Sequence, residues 1–377
     1  MGKRRWCIVM GIVLYVLLGS TANSQEKKDG GSWAEKISPM ADLRYRHEEI
    51  DQEESDWRTR DRIRARLGVN VKPTDDWNLV LQFASGSGEP VSTNQTLDGA
   101  FGQKPVWIDL AYFDYHPEAL KGLNVYGGKM RNPFFIPGKN QLIWDHDLNP
   151  EGLSIGYKGD FEMFAPFIIG SGFWLDERET DDDDGIMYGG QAGVKVKFNE
   201  GKTYLVLGGG YYDFKNTKGY PAYFSAAGNS FDVAGNYVHA YELTEGLAEF
   251  GFHISEIPIV IYGDYVVNNG IDEDDDEEDN IGWCAGVNVG KADKQLSWAV
   301  KWQYRELQKD AVIGAFSDSD FGGGGTNNRG NVIGVDFAVF KNVVLSFTYF
   351  MNERNISEDD PKSIDYNRMQ LDLMVRL

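Results

Sequence analysis

The chain has 377 residues, a formal net charge of −21 and only two cysteines. Such acidity argues against nucleic acid as a partner. Past the N-terminus no stretch approaches the roughly 18 apolar residues of a membrane-spanning helix.

Residues 1–24 read as a secretory leader. Lys3, Arg4 and Arg5 form a positive start, Cys7 to Leu18 an apolar run, and Ala22-Asn23-Ser24 a small-residue cleavage site before Gln25. A mature chain from Gln25 keeps only Cys284, so an intrachain disulfide is not expected. Residues 25–39 are expected to be a short periplasmic segment, and residues 40–377 a transmembrane β-barrel.

From there the side chains alternate with a period of two, the signature of strands. The alternation runs to the last residues: Met369, Leu371, Leu373, Val375 and Leu377 share one parity, and Arg368, Gln370, Asp372 and Arg376 the other. Val343, Leu345, Phe347, Tyr349 and Met351 form another apolar row, as do Leu296, Trp298, Val300, Trp302 and Tyr304. One face suits lipid and the other water. The expected fold is all-β, an antiparallel up-and-down barrel of about 16 strands. The strands fall at 40–47, 60–72, 77–86, 106–116, 123–131, 151–158, 161–175, 186–198, 203–214, 241–254, 258–268, 280–290, 296–307, 330–340, 343–354 and 364–377. The period is blurred in 123–131, 161–175 and 203–214. Short turns alternate with long connections, which puts both chain ends on the periplasmic rim. The abundance of Gly, Tyr and Phe (44, 19 and 21) fits such a barrel.

Arg58, Arg60, Arg62, Arg64 and Arg66 occupy every second position, opposite Ile63, Ala65, Leu67, Val69 and Val71. Charge at the lipid midplane costs about 2–4 kcal/mol per residue, so the arginines belong in the lumen. Arg44 and Arg46 repeat the pattern on the first strand. A basic row of this kind needs counter-charges. The third long loop, 132–150, holds Phe134, Phe135, Ile136, Leu142, Ile143 and Trp144, which require burial. Folding into the barrel carries Asp145 and Asp147 into the pore, opposite the arginines. The expected lining is Arg44, Arg46, Arg62, Arg64, Arg66, Lys129, Arg131, Asp145 and Asp147, a constriction with a transverse field.

The long loops also hold acidic runs at Asp181–Asp184 and Asp272–Asp279. The second is like a calcium loop, but Glu277 stands where the turn glycine belongs. Both read as solvated outer faces, with divalent-cation bridging to lipopolysaccharide as the sharper alternative. Gly152-Leu153-Ser154-Ile155-Gly156 matches the nucleophile-elbow pattern, which requires a strand-to-helix turn. Here it lies along a strand, so no enzyme activity is expected. The five histidines lack metal-ligand spacing, and no cofactor is expected.

The stretch from Ala41 to Gly152 resembles a family of bacterial outer-membrane porins. The resemblance rests on Leu43-Arg44-Tyr45-Arg46, on the ladder ending Arg62-Ile63-Arg64-Ala65-Arg66-Leu67-Gly68, and on Ser92-Thr93-Asn94-Gln95-Thr96-Leu97. It continues in Asp109-Leu110-Ala111-Tyr112-Phe113-Asp114, in Gly128-Lys129-Met130-Arg131-Asn132-Pro133-Phe134-Phe135, and in Ile143-Trp144-Asp145-His146-Asp147-Leu148-Asn149-Pro150-Glu151-Gly152. It implies passive diffusion of small hydrophilic solutes, an outer-membrane location in a Gram-negative-type cell and a homotrimer. Porins commonly end in Phe, a signal for the barrel-insertion machinery; this chain ends in Leu377. The arginine ladder adds an expected leaning toward anions. The alternatives are a conduit for an acidic polysaccharide, resembling alginate-export barrels, and a structural or adhesive barrel with a plugged lumen. Eighteen strands and aromatic rows beside the ladder would favour the polysaccharide conduit.

The trimer expectation also has a local motive. A first strand of about eight residues, against the usual 9–11, would leave a weak seam beside the last strand. A neighbour packed on Leu43, Tyr45, Met369, Leu371 and Val375 would shield it.

Overall fold

The computed structural model describes residues 33–180, 183–225, 227–271, 279–358, 360 and 362–377. The leader, Asp181–Asp182 of the first acidic run and residues 272–278 of the second lie outside the described residues. Trp33–Lys36 is one turn of 3-10 helix. Among the described residues no helix is long and apolar enough to cross a membrane.

From Ile37 the chain is a single closed antiparallel sheet. In chain order the strands are β1 (Ile37–Gln52), β2 (Arg58–Thr74), β3 (Trp77–Ser85), β4 (Gln95–Thr96), β5 (Val106–Tyr115), β6 (Leu123–Lys129), β7 (Glu151–Lys158), β8 (Phe164–Asp176) and β9 (Gly185–Phe198). They continue as β10 (Thr203–Lys215), β11 (Tyr241–Ile254), β12 (Ile257–Asn268), β13 (Ile281–Gly290), β14 (Trp298–Leu307), β15 (Asn328–Phe340), β16 (Val343–Arg354) and β17 (Ile364–Arg376). β4 is a two-residue bridge to β2 inside a long loop. The other sixteen form the wall, each paired with its neighbour, and β1 closes on β17. The transmembrane barrel expected from the alternation is therefore the observed fold.

The first strand differs from its expected span. β1 has 16 residues and pairs with β17 from Asp42–Arg376 to Gln52–Tyr366. The seam is full length, and the motive for a trimer at a short first strand falls away. The physical reason lies outside the apolar band. There the outward residues His47, Glu49 and Asp51 are polar, so alternation vanishes although pairing continues. Leu296 is also not on a strand; it sits in the turn before β14 at φ +63°.

Leu43 and Tyr45 point outward and are exposed, whereas Arg44, Arg46 and Glu48 point inward and are buried. The blurred segments are strands with two apolar faces. On β8, Ile168 and Trp174 face out while Ile169 and Phe173 are buried inside. What they meet inside is a cluster of Phe134, Leu142, Trp144, Tyr212, Phe214 and Phe316 among others. Several outer loops supply it: L3 (130–150), L5 (216–240) and L7 (308–327).

Candidate functional site: a charged seam and an inward loop

The lumen has two unlike halves. On β1 and β2 the register sets Arg44 opposite Arg64 and Arg46 opposite Arg62. Like charges directly opposed destabilise a sheet, so this wall requires carboxylates. Asp42 stands opposite Arg66 and Glu48 opposite Arg60. Arg64 donates to Asp42 at 2.7 Å. Glu48 is fully buried and bonds Arg368 at 2.6 Å, with Arg46 at 3.4 Å and Arg62 at 3.8 Å. Arg60 also donates to it. Arg46 makes a bidentate pair with Asp372, both contacts 2.7 Å, the strong geometry for guanidinium and carboxylate.

Two loops bring in further acids. Asp147 of L3 accepts from Arg66 at 2.7 Å and from Thr93. Burial pushes its carboxyl up, but Arg66, Arg64 and Arg44 together hold it below the usual carboxylate range. Asp320 of L7 lies 2.8 Å from Arg46 and 2.7 Å from Arg368. Arg44 donates to Asn94 at 2.5 Å, with Asp372 at 3.7 Å. Arg44 and Arg62 are the least compensated members: their nearest carboxylates lie at 3.7 and 3.8 Å, and the buried Nε of each lacks a partner.

The expected residues thus separate. Arg44, Arg46, Arg62, Arg64, Arg66 and Asp147 come together in the seam. Asp145 does not reach the arginines; it accepts the backbone N–H of Asp147 at 2.7 Å and of Ser319 at 2.9 Å. It pins L3 to L7 instead. Lys129 shares the outward parity of its partner Glu151, which it meets at 2.9 Å at the end of β6. Arg131 borders a cavity of about 300 Å³ with Tyr112, Asp114, Tyr126 and Lys158.

L3 crosses the lumen and is tied to the far wall. Phe135 N–H donates to Gln191 at 2.7 Å, Gly138 N–H to Glu249 at 2.6 Å, and Asn140 Nδ2 to Asp264 at 2.8 Å. Gly138 has φ +59° and lies against the Tyr262 ring, where a Cβ would come within 2.0 Å. Only glycine fits there. Phe134 and Trp144 pack against Tyr212 at centroid distances of 4.9 and 5.3 Å. A cavity of about 300 Å³ borders residues 131–134 of L3, and another of about 470 Å³ borders Trp144 and residues 147–150.

Asp42 and Glu48 were legible, since they share the parity of Arg44 and Arg46. Asp320 had no local signal: its role depends on where L7 is carried. Ser154 of the elbow pattern is buried within β7 and meets Ser171 Oγ at 2.8 Å, with no turn into a helix.

Comparison with known proteins agrees with this architecture. The "Putative porin" family model matches residues 40–238 and 231–377. No curated protein matches the sequence. Among solved structures, OprB of Pseudomonas putida is 12% identical with a TM-score of 0.57, over 91% of this chain and 95% of that one. DcaP, an outer-membrane channel of Acinetobacter baumannii, is 14% identical with a TM-score of 0.50, over 90% and 97%. OmpT of Vibrio cholerae in its trimer form is 12% identical with a TM-score of 0.50, over 90% and 99%. At such identities these likenesses speak for the fold alone. Sixteen wall strands, an inward third loop and a family match across nearly the whole barrel make one conclusion: the chain belongs to the Putative porin family and is an integral outer-membrane channel barrel.

Proposed function

We propose that the barrel is a passive pore for small hydrophilic solutes, narrowed where L3 meets the arginine seam. The observation that supports this is the course of L3 across the lumen, tied to the far wall at Gln191, Glu249 and Asp264, beside a seam of Arg44, Arg62, Arg64, Arg66 and Asp147. The pore leans toward anions, but weakly. Asp42, Glu48, Asp109, Asp147, Asp320 and Asp372 offset most of the arginine charge, leaving Arg44 and Arg62 as the donors with the most distant carboxylates. Sixteen wall strands and aromatic rings on the wall opposite the ladder both weigh against the polysaccharide conduit.

Planar-bilayer recording in a salt gradient tests the reading. The wild-type barrel is expected to conduct with a small anion preference. Replacing Arg62, Arg64 and Arg66 with Gln should move the reversal potential toward cations. A folded barrel that passes no ions would favour the plugged structural role. A conducting barrel with no shift in the triple variant would take the ladder out of the ion path.

We propose further that the barrel is a homotrimer through the outward faces of β1 and β17. Leu43, Tyr45, Leu371 and Val375 form an exposed apolar row there, and the OmpT likeness is to a trimer form. Native mass measurement in mild detergent should give three copies. A monomer that keeps its conductance would reject the trimer and leave the pore reading intact.

A further inference from the structure

The wall is not equally tall all round. β6 and β7 have only seven and eight residues, against 13 for β8 and 14 for β9. Their outer ends are set by Gly128 and Gly152, which pair directly, with φ +118° and +154°. A Cβ on either would meet a neighbouring carbonyl oxygen at 2.2 Å. Immediately beyond, the chain leaves the wall and becomes L3. β5 continues outward past its last pair with β6, Ala111–Lys129, to Val106. β8 likewise continues past its last pair with β7, Gly152–Phe173, to Asp176. Turning L3 into the lumen therefore leaves a notch between β5 and β8.

A cavity of about 470 Å³ fills this notch and runs through the line of the wall. Its mouth is formed by Ile108, Trp174 and Phe224, at 55%, 51% and 68% exposure. Ile108 pairs with outward-facing Phe83, and Trp174 shares the outward parity of Ile168, so both belong to the lipid face. The inner end is lined by Trp144, Phe173, Phe214 and Phe316, which belong to the lumen cluster. The Lys129–Glu151 pair stands at the lip. Outer aromatic residues such as Trp174 and Tyr188 are where a barrel meets the membrane interface. Apart from the side it shares with the charged seam, where Ser92, Thr93, Asp109 and Asp147 line it, the cavity is apolar, of ligand size, and opens sideways toward the bilayer.

We propose that this side opening binds the apolar chain of an amphiphile dissolved in the outer leaflet, with its polar head held at the Lys129–Glu151 lip. The inference rests on the outer-membrane placement and is independent of the ion preference. An acyl chain entering here replaces lipid contact with ring contact and leaves its head at the interface. Nothing charged need cross the apolar mouth.

The test uses the full-length barrel in phosphatidylcholine vesicles containing a fatty acid with a photoreactive diazirine on its chain. Illumination and peptide mapping should find label on inward-facing Phe173, Phe214 and Trp144 as well as on outward Ile168. Phe224→Glu and Ile108→Gln should each lower the inner label about tenfold, the loss expected from one large apolar contact. Label on Ile168 should not change. Conductance measured on the same samples should be unchanged, which separates this site from the pore reading. Label confined to outward residues would overturn the proposal. So would inner label that both variants leave intact, or disulfide cross-linking between subunits of an Ile108→Cys variant, which would put a neighbouring barrel over the notch.

Discussion

Deletion of residues 133–147 is expected to raise single-channel conductance severalfold and to move the reversal potential toward anions. Both changes have the same origin. The segment carries Phe134, Leu142, Ile143 and Trp144, all buried in the lumen, and Asp147, the partner of Arg66. Without it the cross-section widens and Arg66 loses its nearest carboxylate. The ends of the deletion are already close, since Met130 N–H donates to Pro150 C=O at 2.8 Å. A short glycine linker closes the gap. The wall does not depend on L3 for its pairing, because every ladder from β1 to β17 is strand to strand. Burial of each large apolar side chain is worth about 1.5–3 kcal/mol, so a lower unfolding temperature is expected as well. Conductance and selectivity that both stay at wild-type values in a folded deletion variant would show that ions bypass L3.

The largest stability effect is expected at Glu48. Its carboxylate is fully buried among Arg46, Arg60, Arg62 and Arg368. In Glu48→Gln the guanidinium groups keep their burial and lose their shared counter-charge. Breaking a buried ion pair from one side costs about 3–5 kcal/mol, because the remaining charge stays desolvated. The variant should fold in low yield and unfold at lower urea, followed by the gel shift between folded and unfolded barrel. Arg368→Met added to Glu48→Gln should recover part of the loss, since neighbours in one network are non-additive by about 0.5–3 kcal/mol. Strictly additive losses would mean that Glu48 acts through packing rather than charge. Asp320 is a useful control. It meets Arg46 and Arg368 from L7, so Asp320→Asn should weaken the same network while leaving the β1–β2 pairing untouched.

Parity alone was enough for the barrel, because one face of each strand meets lipid and the other meets water, and the two demands alternate residue by residue. Leu43 and Tyr45 against Arg44 and Arg46, and Leu371 and Leu373 against Gln370 and Asp372, carry that contrast openly. The arginines' inward direction was legible for the same reason. Where the contrast lapses, so does legibility. The outer half of β1 is polar on its outward face, at His47, Glu49 and Asp51, because that side has left the apolar band. β8 and β10 are apolar on both faces because their inner side meets Phe134, Trp144 and Phe316 rather than water. Which acids neutralise the ladder was decided by tertiary structure. Asp145 and Asp147 are two residues apart in one loop, yet only Asp147 faces Arg66, while Asp145 is spent on the backbone of L7. Asp372 and Asp320 reach Arg46 from 326 and 274 residues away along the chain. Local spacing carries no information about such partners. It is the closure of the barrel on β17 and the inward course of L3 and L7 that bring them within bonding distance.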